Sequence, residues 1–201
     1  MRKRGRPKGT DKKNGWKHLS EKQLEDFFKA IRKERILRDD VILSLALYLG
    51  LRVQEIVNIQ VDEIEPETKT ITIQGVKSGR RRNYPDLDER LWKKLQRYMK
   101  TLDKDEVYLF PSPKVKGKPI TTQAVKDLFK KYAGRAGLSS DYSIHALRHT
   151  CAMLMAKKNE SAIKIQHWLR HASIQSTQIY FERIEFEDQA RAASRVFGSY
   201  M

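Results

Sequence analysis

The stretch from Ser143 to Tyr180 most constrains the fold, because its apolar residues recur with the period of two helices. The first helix is predicted from four apolar residues at helical spacing: Leu147, Cys151, Leu154 and Met155. A second apolar helix is predicted over residues 161–169. Two helices of this kind must bury their apolar faces, so they require a core that the rest of the chain supplies.

Four polar side chains accompany these helices and form a chemically coherent set. His145 and Arg148 lie three residues apart, so they leave the first helix on the same face. His171 and Tyr180 follow the second helix. A permanently charged guanidinium, two imidazoles and a phenol suit an anionic phosphate and a nucleophile. Each piece alone is more often structural, because a His-x-x-Arg pair is usually solvated and a tyrosine beside a helix usually packs.

The charge of the chain narrows the class of partner. The 201 residues include 41 Lys and Arg against 25 Asp and Glu, a formal net charge of +16. This excess favours a polyanion, with nucleic acid first and a merely soluble basic protein as the alternative. The single cysteine, Cys151, excludes an internal disulfide and is typical of a reducing cytoplasm, where we expect the protein. No apolar run has the length of a membrane span, and no signal-peptide pattern opens the chain.

Residues 1–17, here called the N-terminal arm, differ in composition from the rest of the chain. They hold eight basic side chains and one acid, with glycine and proline between them. Such a segment cannot bury a core, so we expect it to be disordered in isolation and to contact DNA. The run Arg4-Gly5-Arg6-Pro7 is similar to the core of an AT-hook, and a general electrostatic arm explains it equally well. Residues 18–201 are predicted to form one domain.

Helical patterns fill the first part of that domain. Ser20 and Gln23 predict a capping box, which begins a helix. An almost wholly apolar helix is predicted from Asp39 to Leu49 and ends at a glycine. Helical spacing then resumes and carries Arg52, whose plainest interpretation is a surface arginine paired with Glu55.

From residue 69 the period changes from helix to strand. Residues 70–73 alternate as a strand and residues 81–84 are their expected partner, which places Lys77 at or near the tip of a hairpin. Further helices are predicted to begin near Asp88 and Thr121. An apolar stripe ends the chain and packs either on its own domain or on a neighbour: Phe186, Ala190, Ala193 and Phe197. The predicted fold class is α+β, mostly α-helical, with a small antiparallel β-hairpin or sheet.

Taken together, these motifs resemble the tyrosine recombinase (phage integrase) family over residues 18–197. The matching segments are Gly50 to Ile56, the hairpin Lys77, His145-Ala146-Leu147-Arg148-His149-Thr150, Leu169-Arg170-His171-Ala172-Ser173 and Thr177 to Tyr180. Their order and spacing are similar to the family's throughout, and six dispersed positions in register form a specific pattern. The resemblance implies the fold of a tyrosine recombinase catalytic domain.

The resemblance also implies an activity and its residues. The protein would be a site-specific DNA recombinase or integrase that acts through a covalent 3′-phosphotyrosine link, without metal, ATP or other cofactor. Its catalytic residues would be Arg52, Lys77, His145, Arg148, His171 and Tyr180. Tyr180 would be the nucleophile, His145 would handle protons, Lys77 would protonate the departing 5′-oxygen, and the arginines and His171 would stabilise the phosphate. Its partners would be double-stranded DNA and further copies of the chain on paired DNA sites.

Two departures from the family pattern modify these expectations. Typical members carry an N-terminal helical domain that clamps the other face of the DNA, where this chain has the N-terminal arm, so we expect reduced site specificity and a reduced capacity for independent recombination. Arg170 stands where the family usually has glycine. We expect this change to be tolerated if the position is helical.

Three alternatives remain open from the sequence. A metal-dependent nuclease is suggested by two i, i+4 histidine pairs, His145/His149 and His167/His171, although no Asp or Glu lies between residues 142 and 159 and arginines are unfavourable beside a divalent cation. A DNA-binding protein could have kept the fold without the reaction. A type IB topoisomerase would share the chemistry and lack strand exchange between partner duplexes.

Overall fold

The computed structural model describes residues 17–75 and 81–198. The helices are α1 (Glu21–Glu34), α2 (Leu37–Tyr48), α3 (Val53–Val57), α4 (Glu89–Met99), α5 (Thr122–Arg135), α6 (His145–Lys157), α7 (Ala162–Leu169) and α8 (Gln175–Phe197). The strands are β1 (Ile64–Glu65), β2 (Thr70–Gln74) and β3 (Arg81–Tyr84). The predicted class, mostly α-helical with a small antiparallel sheet, is confirmed. Within the described ranges, no helix is long and apolar enough to cross a membrane.

The capping box predicted at the start of the domain is present. The Ser20 hydroxyl accepts a hydrogen bond from Gln23 N at 3.3 Å, and Ser20 N donates to the Gln23 side chain at 2.9 Å. This reciprocal pair satisfies two backbone N–H donors at the N-terminus of α1. The helix then buries Phe27, whose ring lies 5.3 Å from the ring of Phe129 on α5. The first and fifth helices are thereby joined across the core.

The predicted hairpin is the larger part of a three-stranded antiparallel sheet in the order β1-β2-β3. Ile71 pairs with Tyr84 and Ile73 pairs with Arg82. Side chains on β2 alternate between buried and partly exposed, as the sequence pattern predicts for a strand with one face on the core. The short strand β1 was not predicted, because two residues carry no periodicity. Lys77 falls between β2 and β3, outside the described residues.

Gly50 ends the second helix for two physical reasons. Its φ of +58° lies in the left-handed region, which glycine occupies at little cost. In addition, a side-chain Cβ at this position would collide with Leu169 Cδ2, so the backbone here lies directly against the end of α7. The α2 helix itself begins at Leu37, two residues before the predicted start. The close contact between Gly50 and Leu169 fixes the position of α7 relative to the segment that carries Arg52.

The buried apolar residues form two clusters. The main cluster extends from Leu19 to Leu147 and draws on α1 to α5, the sheet and the first turn of α6. The second cluster lies between α6, α7 and α8 and contains Cys151, Ala152, Met153, Ala156, Ile165, Leu169 and Tyr180. Cys151 is buried, as predicted. The α6 helix therefore belongs to both clusters, and its second turn marks the boundary between them.

The C-terminal half of α8 is largely exposed. Phe186 is 63% exposed and Phe197 is 58% exposed, and Ala190 and Ala193 are exposed as well. Of the two interpretations of the apolar stripe, packing on its own domain is wrong for this structure. The stripe is left available to another molecule.

Candidate active site

Arg52 stands directly before α3, on the segment that follows Gly50. Its Nη1 lies 3.2 Å from Glu55 Oε1, and its backbone N donates to Glu55 Oε2 at 2.8 Å. The Glu55 side chain is only 2% exposed, whereas the Arg52 side chain is 39% exposed. The pairing predicted from the sequence is thus present, and it orients a guanidinium that still reaches solvent. An ion pair with a buried carboxylate and a role in binding phosphate are therefore compatible.

Arg170 is not in a helical conformation, so the condition on which this residue was expected to be tolerated is not met. It has φ +54° and ψ 46°, the left-handed cap of α7, where glycine has no steric cost and other residues do. An ion pair of its Nη2 with Glu55 Oε2 offsets this cost. The guanidinium also lies 5.8 Å from the ring centroid of Tyr84. Glu55 consequently holds two arginines, one before α3 and one after α7.

Arg148 lies at the boundary between the two apolar clusters. It is 5% exposed; Nη1 donates to the Gly50 carbonyl and Nη2 donates to the Leu169 carbonyl. Burial, with Arg52 close by, lowers its pKa to about 10, so the guanidinium remains charged at neutral pH. These two bonds leave further N–H donors of the guanidinium for an anionic ligand.

Tyr180 projects from the first part of α8 into the second cluster and is 1% exposed. Its hydroxyl lies 2.9 Å from His149 Nδ1. Burial raises the pKa of the phenol to about 12, although Arg148 opposes the shift. The hydroxyl is therefore protonated at neutral pH, and any reaction at this oxygen requires a proton acceptor.

His149 was missed as a site residue by sequence reasoning. The sequence showed it only as the partner of His145 in an i, i+4 pair, and the resemblance assigned proton handling to His145. In the structure, the His145 side chain is exposed, and its pKa is lowered by desolvation and by the neighbouring Arg148 and Arg52. The signal that could have identified His149 is its position one residue after Arg148, which turns its side chain to a different face of α6, toward Tyr180 on α8.

His171 lies between α7 and α8 and faces the tyrosine. Its ring stacks on that of Tyr180 with a centroid distance of 6.3 Å and an interplanar angle of 17°. Its Nδ1 lies 2.8 Å from the Thr177 hydroxyl, which is fully buried. Burial, Arg148 and Arg52 lower the pKa of His171 to about 4, so the imidazole is neutral at pH 7. Thr177 thereby fixes one ring nitrogen and leaves the other for a ligand.

The metal-dependent alternative lacks a ligand set in the part of the chain that the structure describes. No group of three or more His, Cys, Asp or Glu side chains there could hold a metal ion. Lys77, the sixth predicted residue, lies outside the described segments. The structure thus brings five of the six predicted residues to the boundary region and adds His149.

The comparison with known families decides the family. Residues 17–185 match the phage integrase family. This chain belongs to that family. The match covers α1 to α7 and the first part of α8, including every candidate residue discussed above.

Two relatives in sequence are tyrosine recombinases. The tyrosine recombinase XerA of Pyrococcus furiosus is 32% identical over 165 residues, which cover 82% of this chain and 56% of the relative. The tyrosine recombinase XerC of Caldanaerobacter subterraneus subsp. tengcongensis is 38% identical over 149 residues, covering 71% of this chain and 40% of the relative. This phage integrase family member therefore spans about half the length of the curated relatives that it matches.

Solved structures of the family share the fold. The crystal structure of XerA recombinase has a TM-score of 0.72 and 26% identity, covering 87% of this chain and 65% of that one. The XerH site-specific recombinase bound to palindromic difH substrate, in a post-cleavage complex, has a TM-score of 0.75 and 24% identity, covering 89% of this chain and 53% of that one. The fold of this phage integrase family member is that of a tyrosine recombinase catalytic domain.

Proposed function

We propose that this protein is a site-specific DNA recombinase that cuts and rejoins DNA strands through a covalent 3′-phosphotyrosine intermediate. One observation carries the proposal: the Tyr180 phenol lies between two neutral imidazoles and beside a buried guanidinium held by two segments of the fold. Such a set offers a nucleophile, a proton acceptor and a permanent positive charge within one site. Family membership and the relatives named above support the same reaction class.

In the proposed reaction, Arg52, Arg148 and His171 bind the non-bridging oxygens of the scissile phosphate. The phosphate gains negative charge as Tyr180 attacks, so donors placed in advance stabilise the transition state more than the ground state. Removing one preorganised donor of this kind from an enzyme costs about 3–4 kcal/mol of transition-state stabilisation. Arg148 is suited to this role because its two carbonyl bonds fix the guanidinium before DNA arrives.

Lys77 and His145 complete the proposed set. Lys77 donates a proton to the 5′-oxygen as it departs, because an alkoxide is a poor leaving group. His145 is exposed beside the arginines and relays protons at the phosphate. The bond energy is kept in the phosphotyrosine ester, so rejoining requires no ATP, and the proposed site uses no metal.

The burial of Tyr180 adds a conformational step to the proposal. At 1% exposure, the hydroxyl is out of reach of a DNA phosphate, so α8 shifts outward when DNA binds. The cost is modest, because the second cluster is small and the half of α8 beyond Ile184 contributes no residue to it. In this view the exposed apolar stripe docks on a neighbouring copy bound to a paired DNA site.

The partners we propose are double-stranded DNA and further copies of this chain, in the cytoplasm. The net charge of +16 favours DNA, and the N-terminal arm contributes phosphate contacts. If so, deleting residues 2–17 weakens binding to every sequence and lowers the slope of log K against log salt by about 0.9 per lost contact. The slope is measured by titrating labelled duplexes at several salt concentrations. An unchanged slope would show that the arm is not on the DNA.

The test of the proposed function is a covalent adduct that depends on Tyr180. Wild-type protein incubated in EDTA with a library of nicked duplexes forms denaturant-resistant adducts, and Tyr180→Phe forms none while still binding DNA. Tyr98→Phe, which alters a buried tyrosine on α4, serves as the matched control and reacts like the wild type. Adducts from Tyr180→Phe, or adducts that require a divalent cation, overturn the proposal. Relaxation of supercoiled DNA without strand exchange between duplexes favours a topoisomerase instead.

A further inference from the structure

Either of two histidines of α6 could accept the proton of the nucleophile. His145 and His149 stand one helical turn apart, and the motif alone does not say which of them handles the proton of the nucleophile. The structure places Nδ1 of His149 at 2.9 Å from the Tyr180 hydroxyl, with the ring centroids 6.0 Å apart. This distance is within the range in which a base takes a proton directly.

We propose that His149 is a catalytic residue that accepts the hydroxyl proton of Tyr180 as the tyrosine attacks the phosphate, with the contact between the two side chains kept when α8 shifts toward the DNA. The inference rests on the proposed function, because it assumes that Tyr180 is the nucleophile. It assigns the general base to the residue after Arg148 and leaves His145 at the phosphate. One turn of α6 then supplies both a guanidinium for the phosphate and a base for the nucleophile.

The protonation states of the two groups agree with this assignment. Burial, together with His145 and Arg148 on the same helix, lowers the pKa of His149 to about 4. His18, from the segment before α1, and His171, from the segment before α8, also face this ring. At neutral pH the imidazole is therefore uncharged and has a lone pair to offer, whereas the phenol, with a pKa of about 12, keeps its proton.

The difference between these pKa values determines when the proton moves. Transfer from a resting phenol to this imidazole is unfavourable, so no stable phenolate forms before attack. As the bond from Tyr180 Oη to phosphorus forms, the oxygen becomes far more acidic, and transfer becomes favourable within the transition state. The charge of the bound phosphate also raises the basicity of a neighbouring imidazole.

The step is balanced. The Oη–P bond forms, the bond from phosphorus to the 5′-oxygen breaks, the phenol proton passes to Nδ1 of His149, and the leaving oxygen takes a proton from the general acid. In rejoining, the free 5′-hydroxyl attacks the phosphotyrosine and returns its proton to the deprotonated general acid, the bond from Tyr180 Oη to phosphorus breaks, and the protonated imidazole gives its proton to the departing phenolate. Neither direction requires an oxidant, a reductant or a co-reactant beyond the DNA.

Two variants separate proton transfer from positioning. His149→Asn places a side-chain oxygen close to the position of Nδ1, so it preserves a hydrogen-bond acceptor that is not a base. His149→Ala removes both the hydrogen-bond acceptor and the base. We expect both to slow single-turnover adduct formation by roughly 10²–10⁴-fold, the size of a general-base contribution, with DNA affinity unchanged. His167→Asn, which alters an exposed histidine of α7, is the matched control and reacts at the wild-type rate.

A more acidic nucleophile provides the decisive measurement. Replacing Tyr180 by a ring-fluorinated tyrosine lowers the pKa of the phenol, so less help from a base is needed. We expect this replacement to accelerate adduct formation by His149→Asn and to change the rate of the wild type little. Added imidazole should likewise restore part of the rate of His149→Ala, which gives a second readout if one variant proves unstable.

The outcomes distinguish this inference from the proposed function. A wild-type rate in His149→Asn overturns the assignment of His149 as the base and means that the contact only positions Tyr180. A rate faster than wild type means that His149 holds Tyr180 in an unreactive position, and this also overturns the assignment. A slow rate that neither fluorination nor imidazole improves overturns it too. In each case the wild type still forms an adduct that Tyr180→Phe does not, so the proposed function stands. If the wild type forms no adduct, the proposed function itself fails.

Discussion

The two apolar clusters differ in size and in the chemical groups they hold. The main cluster combines α1 to α5, the sheet and the first turn of α6, and it fixes the segment that carries Arg52. The second cluster contains seven buried residues, and Tyr180 is one of them. Arg148 lies between the two clusters and donates to a carbonyl on each side, Gly50 before α3 and Leu169 at the end of α7.

In the proposed reaction, this division separates the arginines that bind the phosphate from the tyrosine that attacks it. Arg52 is anchored in the large cluster, whereas Tyr180 and His171 depend on how the small cluster lies against it. A small cluster exposes little new apolar surface when it shifts, so moving α8 costs far less than disturbing the scaffold. If the proposed function holds, such a site keeps its charges fixed and controls the reaction through the position of the nucleophile.

The largest effect is expected from Lys77, which lies outside the described residues. If Lys77 protonates the departing 5′-oxygen, Lys77→Ala slows cleavage by roughly 10²–10⁴-fold and leaves DNA binding unchanged. A substrate with sulfur in place of the bridging 5′-oxygen restores the rate, because a thiol with a pKa near 8.5 leaves without a proton. The measurement is the single-turnover rate on both substrates.

Arg52→Ala is the matched control for this experiment. Its proposed role is at the non-bridging oxygens, so the sulfur substrate does not rescue it. If sulfur fails to rescue Lys77→Ala, Lys77 positions the DNA and does not act as the general acid. One of the neighbouring basic residues 80–82 then becomes the candidate for the acid.

Local rules were sufficient for much of the scaffold. The capping box at Ser20, the hairpin of β2 and β3 and the glycine after α2 each depend on a few adjacent residues, and the structure confirms all three. The hairpin tip with Lys77 was likewise predicted and remains a prediction. Fold and family followed from the same motifs, because their spacing is fixed by the helices that carry them.

The details of the site depended on contacts that the sequence does not encode locally. Periodicity places His145 and His149 on α6, but only the packing of α8 decides which of them meets Tyr180. Arg170 was expected to be tolerated if its position were helical, and no residue adjacent to it indicates the left-handed cap of α7 that it occupies. The ion pair with Glu55 that supports this conformation joins residues 115 positions apart.

A matched pair of phenylalanines measures the energetic contrast between the scaffold and the end of α8. Phe129 is fully buried and Phe186 is 63% exposed. Phe129→Ala should lower the free energy of unfolding by about 3–5 kcal/mol. Phe186→Ala should change it by no more than about 0.5 kcal/mol. Urea denaturation of both variants gives the two values.

Phe186→Ala also tests whether the apolar stripe takes part in the assembly of copies on DNA. If the stripe docks on a neighbouring copy, Phe186→Ala abolishes cooperative binding to paired DNA sites and leaves single-site affinity intact. Truncation after Ile184 should have the same effect. A large loss of stability in Phe186→Ala, or an equal loss at single and paired sites, would contradict the contrast drawn between the two regions.

The smallest expected effect concerns Thr177, which orients His171 within the second cluster. Thr177→Val preserves the shape of the fully buried side chain and removes the hydroxyl that lies 2.8 Å from His171 Nδ1. A net hydrogen bond contributes about 0.5–1.5 kcal/mol, so cleavage should slow by roughly 2–10-fold, with DNA affinity unchanged. Thr177→Ser keeps the hydroxyl and should restore most of the rate. Because Thr177 acts only through the imidazole, its substitution should have no further effect in a His171→Ala background, which a double-mutant cycle measures. Equal losses in both backgrounds would mean that Thr177 supports the packing of α8. The second cluster would then position the nucleophile without the help of the hydrogen bond to His171.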